Sequence, residues 1–282
     1  MIIVKPVGGL ANRMRVLAAA VQLAESLGDK VQCIWDVSDE LGASYTELFK
    51  KSDRFVLVES KDIKLISSYK KNRIKRLLAN IWNKIHGVDY YFSIANVDAI
   101  NNAGEDFSCF FRKISPLLKK GKTVFFSSGS YLAELQGASL FEPTDEIQGK
   151  IIEYASHFSQ NTYGLHIRRT DNIWAIERSP LELFQKLIED GIESNHDVVY
   201  YLSTDDKEVS KNISDSYGSH ILVREKKYGR DSLDAMKDAV VDMWLLAKTQ
   251  HIYGSYYSSF SEMSALIGKV KLTIVRQHIK VI

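Results

Sequence analysis

The chain has 282 residues, with 37 Lys+Arg against 35 Asp+Glu and a formal charge of +2, so bulk electrostatics makes no case for a dedicated nucleic-acid binder. Hydrophobic residues make up 45% and charged residues 26%, a globular balance that excludes a largely disordered chain, and at roughly 100–200 residues per domain the length suits two mid-sized domains. Cys33 and Cys109 are the only cysteines; without CxxC or a Cys/His cluster they build neither a disulfide framework nor a zinc site, which favours a reducing, cytoplasmic setting.

Met1 to Val4 reads as a buried strand, with no charged start, apolar core and cleavage site of a secretory signal before it. A glycine turn at Gly8-Gly9 follows, then an Ala/Leu-rich helix from about Asn12 to Leu27, stopped by Gly28, and a second strand from Val31 to Trp35. The most apolar stretch, Val16 to Ala24, falls far short of the roughly 20 residues that span a bilayer. From Tyr69 to Ile85, Ile74, Leu77, Leu78, Ile81, Trp82 and Ile85 recur at helical spacing, while Lys70, Lys71, Arg73, Lys75, Arg76 and Lys84 lie mainly outside that stripe. The expectation is a basic amphipathic helix that packs its stripe on its own domain and solvates its charges. The alternative is a peripheral contact of the Lys70–Lys84 helix with an anionic membrane, which would put the protein at the inner membrane face.

Thr123 to Phe126 is a further strand, and the polar Glu142-Pro143-Thr144-Asp145 places a linker between a domain of residues 1–145 and one of residues 146–282. The second half alternates regularly: strands Tyr163–Arg168, Val198–Leu202, His220–Arg224, Ile252-Tyr253 and Leu272–Val275. Helices run from Ser179, after Asp206, from Ser232 to Lys248 and from Ser259 to Ile267. Ser179-Pro180-Leu181-Glu182 reads as an N-cap with a capping box. The fold class expected is α/β, two Rossmann-like domains facing each other across a cleft, with the last residues packing back on the first domain.

In open parallel sheets ligands bind beyond the carboxyl ends of the strands, and four polar clusters fall there. Gly8-Gly9-Leu10-Ala11-Asn12-Arg13 offers close backbone approach and a helix N-terminus, although a tight turn alone would also require its glycines. His166-Ile167-Arg168-Arg169-Thr170-Asp171 ends a buried strand; alternation separates the two arginines, so one is a ligand group suited to a pyrophosphate and the other structural. In Tyr201-Leu202-Ser203-Thr204-Asp205-Asp206 the aspartates read first as an N-cap. Tyr256-Tyr257-Ser258-Ser259-Phe260-Ser261 presents hydroxyls and amides at a helix start, and Asp242, in an apolar helix, needs a partner: a base, a ribose or a backbone group. GxSxG, HExxH and Asp-x-Asp are absent, so acyl-transfer hydrolysis and a metal held by the usual motifs have no support, and an arginine is left to stabilise a departing diphosphate.

Together these motifs resemble the α1,2-, α1,6- and protein O-fucosyltransferase superfamily: His166-Ile167-Arg168-Arg169-Thr170-Asp171 occupies the HxRRxD position, followed in order by Tyr201–Asp206 and Asp242…Ser258-Ser259, with Gly8–Arg13 similar to the N-terminal glycine loop. The local look is to the α1,6 and nodulation-type enzymes. The resemblance implies the GT-B architecture and a metal-independent, inverting transfer of fucose from GDP-fucose to a glycan or glycolipid acceptor in surface polysaccharide or glycoconjugate synthesis, with no cofactor. It implies Arg168 on the β-phosphate of the donor, His166 and Asp171 shaping its pocket, Asp242 at the guanine, Ser258 and Ser259 at the diphosphate, and Gly9, Asn12 and Arg13 approaching from the other domain. Glu177 is the nearest acid for the acceptor base, with Asn172 standing where those enzymes carry lysine. The rival readings are another GDP-sugar as donor, or a catalytically silent nucleotide-sugar or glycan-binding protein of the same fold.

Overall fold

The computed structural model describes residues 1–67, 72–104 and 106–277. Tyr69, Lys70 and Lys71 of the expected basic helix, and the final residues expected to pack back, lie outside the described residues. The chain divides into two compact units, Met1–Glu142 and Pro143–Ile282.

The first unit runs β1 (Ile2–Pro6), α1 (Leu10–Leu27), β2 (Val31–Cys33), α2 (Tyr45–Leu48), β3 (Val56–Leu57), α3 (Arg73–Ile85), β4 (Tyr90–Phe92), α4 (Ile94–Asn102), α5 (Cys109–Lys119) and β5 (Val124–Ser128). Its sheet has the order β3-β2-β1-β5-β4, and every ladder is parallel. β5 is buried along its whole length, as expected for a strand covered on both faces. Gly28 ends α1 in the left-handed region at φ 64, its N–H returning to Ala24 and Glu25. Tyr90 to Lys119 carries a strand and two helices that the apolar pattern did not signal; α4 starts on a capping box between Ser93 and Asn96.

The basic helix forms, as α3, but its orientation corrects the expectation. Ala79 and Asn83 are its buried residues, whereas Ile74, Leu77, Leu78, Ile81, Trp82 and Ile85 are all exposed, by 41 to 74%. The side that docks is the small and amide-bearing one, because Asn83 satisfies the backbone of Ile66 in both directions, accepting its N–H at 2.8 Å and donating to its carbonyl at 2.9 Å.

The second unit runs α6 (Asp145–Ala155), β6 (Thr162–Ile167), α7 (Ile173–Arg178), α8 (Leu181–Ser194), β7 (Val199–Thr204), α9 (Lys207–Tyr217), β8 (Ile221–Leu222), α10 (Leu233–Ala247), β9 (His251–Ser255), α11 (Ser259–Gly268) and β10 (Lys271–Val275). Its sheet is parallel in the order β10-β9-β6-β7-β8. Leu165, Ile167, Phe184, Ile188 and Leu202 form part of its core. The strand expected over His220–Arg224 is confined to Ile221 and Leu222, since Arg224 leaves the ladder for an ion pair. Ser179 does not cap α8: Pro180 is the residue before the helix, and the Ser179 hydroxyl accepts the Tyr256 N–H at 2.8 Å.

The second sheet grows outward in two directions from β6, whereas in the first the chain crosses from β3 to the far edge at β4 and then places β5 beside β1. Strand order therefore reverses between β1 and β5 in the first unit, and between β6 and β9 in the second. Such switch points leave a crevice beyond the strand ends, where ligands of open α/β sheets bind.

Candidate functional site

At the second unit's switch point, β6 ends in His166-Ile167 and runs into Arg168–Asp171, while β9 ends at Ser255 beside it. Gly254 allows this closeness. A Cβ there would lie 2.7 Å from Ser261 Oγ and 3.1 Å from Leu272 Cδ1, so no side chain fits between β9 and α11. Ser255 joins the two strand ends, its Oγ accepting the Arg168 N–H at 3.0 Å and donating to the His166 carbonyl at 3.3 Å.

The two arginines divide as alternation requires. Arg169 is structural, its guanidinium donating to the Ser179 carbonyl at 2.6 Å and to the Arg168 carbonyl at 3.4 Å. Arg168 is the one held at the strand end: its guanidinium pairs with Asp171 and lies 4.0 Å from Asp205, with its side chain 19% exposed. Asp171 also takes Arg230 at 2.8 Å, so two cationic side chains meet on one carboxylate. Asp205 fixes the loop from below, accepting the Arg169 N–H at 2.7 Å and the Thr170 hydroxyl at 2.7 Å. The expected N-cap role belongs to Asp206, which accepts the Glu208 and Val209 amides at 2.8 and 3.1 Å. Burial pushes the Asp205 carboxyl upward, but the Thr170 and Arg169 hydrogen bonds and the Arg168 charge prevail and hold it below the usual value.

His166 is buried and stacks on Phe260 with ring centroids 4.9 Å apart; its Nδ1 lies 3.4 Å from Ser258 Oγ. Burial, reinforced by the Arg168 charge, pushes its pKa down to about 3, so this imidazole is neutral at pH 7. Its folded pKa lies below the unfolded value of roughly 6.5, so acidification protonates the unfolded chain first and stability falls from about pH 6.5 downward, by about 1.4 kcal/mol per pH unit. Denaturant titrations at pH 7 and pH 5 are expected to differ by about 2 kcal/mol for this group, and the His166→Phe variant is expected to lose that difference. An unchanged slope in the variant would mean that His166 takes up a proton as readily in the folded protein as in the unfolded chain.

Ser258 precedes α11 without capping it through its side chain, and the first helical bond runs from the Glu262 N–H to its carbonyl at 3.4 Å. The amides of Ser259, Phe260 and Ser261 therefore have no acceptor within the helix, and they point out of its positive end. Tyr257, just before, is held at φ 54, a conformation side chains other than glycine rarely adopt, with its carbonyl accepting Asn172 Nδ2 at 2.9 Å. That bond ties the loop after β9 to α7. Glu177 lies exposed on α7 without an ion pair or hydrogen bond among the described residues, and Trp174 on the same helix is also exposed.

Two expected ligand residues are otherwise engaged. Asp242, buried in α10, accepts from Tyr201 Oη at 2.8 Å, Ser203 Oγ at 3.0 Å and Arg224 Nη2 at 2.9 Å, and it pairs with Lys226. Its carboxylate is engaged inside the unit in an ion-pair network with Arg224 and Lys226. Arg13 is buried in the first unit, donating to the Gly8 carbonyl at 2.8 Å, to Ser38 Oγ at 2.7 Å and to the Asp36 carbonyl. It holds the glycine loop rather than reaching out from it. Gly9 stands at the start of α1, Gly8 takes φ 85 close against Asn12, and the Gly8 N–H donates to Glu40 at 3.1 Å.

Asp205 was named from sequence only within a cluster read first as an N-cap, and Ser255, Arg230, Arg224 and Lys226 were not singled out as parts of a site. The one local signal for Arg224 was its place at the end of an apolar strand pattern. Among the described residues no group of three or more His, Cys, Asp or Glu side chains is arranged to hold a metal ion.

No family model and no curated protein matches the chain. Solved structures do. NodZ α-1,6-fucosyltransferase soaked with GDP-fucose is 16% identical over 94% of this chain and 92% of its own, with a TM-score of 0.61; NodZ from Bradyrhizobium gives 18% and 0.58 over the same shares. A variant of Arabidopsis thaliana FUT1 in complex with GDP gives 14% over 98% of this chain and 71% of its own, with a TM-score of 0.66. POFUT1 in complex with GDP-fucose gives 11% over 97% and 98%, with a TM-score of 0.55. The chain has the α/β fold of these fucosyltransferases, with two parallel sheets, as the GT-B expectation required.

Proposed function

We propose that this protein is an inverting glycosyltransferase that transfers fucose from GDP-fucose to a glycan or glycolipid acceptor without a metal. The observation that carries the reading is the pairing of Arg168 with the open end of α11: a guanidinium held by Asp171 and Asp205 at the end of β6, beside the strand that leads to the free amides of Ser259 onward. That is a diphosphate's set of partners, a planar fork plus helix-end N–H groups. The fold neighbours crystallised with GDP or GDP-fucose agree with it.

In this reading the acceptor oxygen attacks C1 of fucose from the face opposite the diphosphate and forms the new glycosidic bond. The bond from C1 to the β-phosphate oxygen breaks, its electron pair leaves with GDP, and the anomeric centre inverts. Arg168, with Arg230 sharing Asp171, and the hydroxyls and amides of Ser258 and Ser259 stabilise the growing charge on GDP, doing the work of a metal by preorganised electrostatics. Neutral His166 adds no charge; stacked on Phe260 and set against Ser258, it fixes the start of α11. The acceptor proton goes to Glu177, whose carboxylate no cation among the described residues occupies, whereas Asp171 is taken by two guanidinium groups. Asp242 acts behind the site, through Tyr201 and Ser203 at the end of β7.

Release of GDP from GDP-fucose without acceptor tests the reading, with GDP-mannose alongside and GDP binding followed by calorimetry. GDP binding and turnover of GDP-fucose in preference to GDP-mannose are expected. Preference for GDP-mannose would overturn the donor assignment, and absence of both turnover and GDP binding would leave a silent protein of this fold.

A further inference from the structure

Among the described residues, α3 carries more exposed large hydrophobic side chains than any other element, six on one helix. At 100° per residue, Leu77, Ile81, Ile74, Ile85, Leu78 and Trp82 fall within an arc of roughly 140°. All six are exposed, whereas the opposite side of the helix is buried through Ala79 and Asn83. The helix cannot simply roll over to hide them. Asn83 makes two hydrogen bonds to the backbone of Ile66, and Trp82 Nε1 donates to the Lys64 carbonyl at 2.7 Å, so the outward direction of the stripe is built in. A contiguous apolar surface of this kind marks a contact with something outside the unit.

The charges say what kind of contact. Arg73, Lys75, Arg76 and Lys84 are the ionised residues of α3, and no aspartate or glutamate lies between 73 and 85. Lys75 flanks one edge of the arc, and Lys84 and Arg73 flank the other. A second copy of the same helix laid on the stripe would bring these cationic margins against each other with no anion to offset them. A surface that is apolar in its interior and anionic at its rim matches both parts of the pattern, and the boundary of a bilayer containing acidic lipids is such a surface. Lys70 and Lys71 add two more cations just before the helix in the sequence. No helix among the described residues is long and apolar enough to cross a membrane, so this is a contact lying on the bilayer.

We propose that α3 docks the protein onto an anionic membrane surface, with its apolar stripe entering the boundary between headgroups and acyl chains and its flanking cations held at the lipid phosphates. The proposal stands independently of the donor and of Arg168. Its test is co-sedimentation with phosphatidylcholine vesicles with and without phosphatidylglycerol, at low and high salt, using wild type, Leu77→Ser/Ile81→Ser and Lys75→Glu/Lys84→Glu. Both pairs alter exposed side chains, so unchanged thermal midpoints serve as the folding control. The wild type is expected to bind the acidic vesicles in a salt-sensitive way, and each double variant to bind roughly tenfold or more weakly. Trp82 is expected to blue-shift in fluorescence on binding. A wild type that stays in the supernatant with acidic vesicles at low salt overturns the proposal, as do variants that bind equally well. So does a wild-type dimer in sedimentation equilibrium that the Leu77→Ser/Ile81→Ser change dissociates, because the stripe would then be an interface between copies.

Discussion

Arg168→Ala is expected to slow release of GDP from GDP-fucose by about 10²- to 10³-fold, the usual loss when one preorganised donor to a developing charge is removed. The side chain is poised for that effect because its carboxylate partners hold it in place at the end of β6. Arg168→Lys keeps the charge but not the fork, so partial recovery is expected, since a lysine cannot engage two oxygens of a phosphate in one plane. Arg169→Ala is the informative contrast. Its guanidinium serves the Ser179 and Arg168 carbonyls, so its loss is expected chiefly in thermal stability. Equal turnover in wild type and Arg168→Ala would remove Arg168 from the chemistry.

Asp242→Ala is expected to cost about 3–5 kcal/mol, because it strands the buried Arg224 and the largely buried Lys226 without their shared carboxylate. For the second unit that corresponds to a fall in thermal midpoint of about 10–17 °C, read by calorimetry or by near-UV circular dichroism. The pH dependence has a definite sign. Burial pushes the Asp242 carboxyl upward, but Lys226 and Arg224 pull harder, and the folded value lies below the usual one. The carboxylate therefore contributes its full stability above the unfolded value of roughly 4 and loses it as pH falls through the lower folded value. In the Asp242→Ala variant that acid-range loss is expected to be absent. A cost below about 1 kcal/mol would mean that Arg224 and Lys226 find other partners, Asp238 being the nearest for Arg224 at 2.6 Å.

How far the sequence reached depended on whether the decisive relation was local. The strands at Met1, Tyr163, Val198 and Ile252 stand out because a strand covered on both faces has to be a short apolar run, and the end of each such run points to a polar cluster. Arg168 and Asp171 could be paired on sequence because three residues separate them. Asp205 and Ser255 could not be joined to that loop. They lie 36 and 87 residues from the backbone amides they hold, and which strands flank β6 is a property of sheet order rather than of any pattern in the chain. Asp242 was marked as an acid in need of a partner. Its charged partners come from a loop 16 and 18 residues earlier, where only the apolar run ahead of Arg224 sets that residue apart and nothing distinguishes Lys226 from a surface cation. For α3, periodicity establishes that an apolar face exists but carries no information on whether that face turns inward or outward. The hydrogen bonds of Asn83 and Trp82 settle it, and they depend on where residues 64 and 66 come to lie.

The cluster at the ends of β6, β7 and β9 draws every one of its side chains, from His166 to Phe260, from within Pro143–Ile282. Its anion chemistry is thus inherited as one contiguous half of the chain, tuned by residues that no change before Glu142 alters covalently. On the proposed reading, a chimera that keeps Pro143–Ile282 and replaces the first half is expected to retain the donor and change the acceptor.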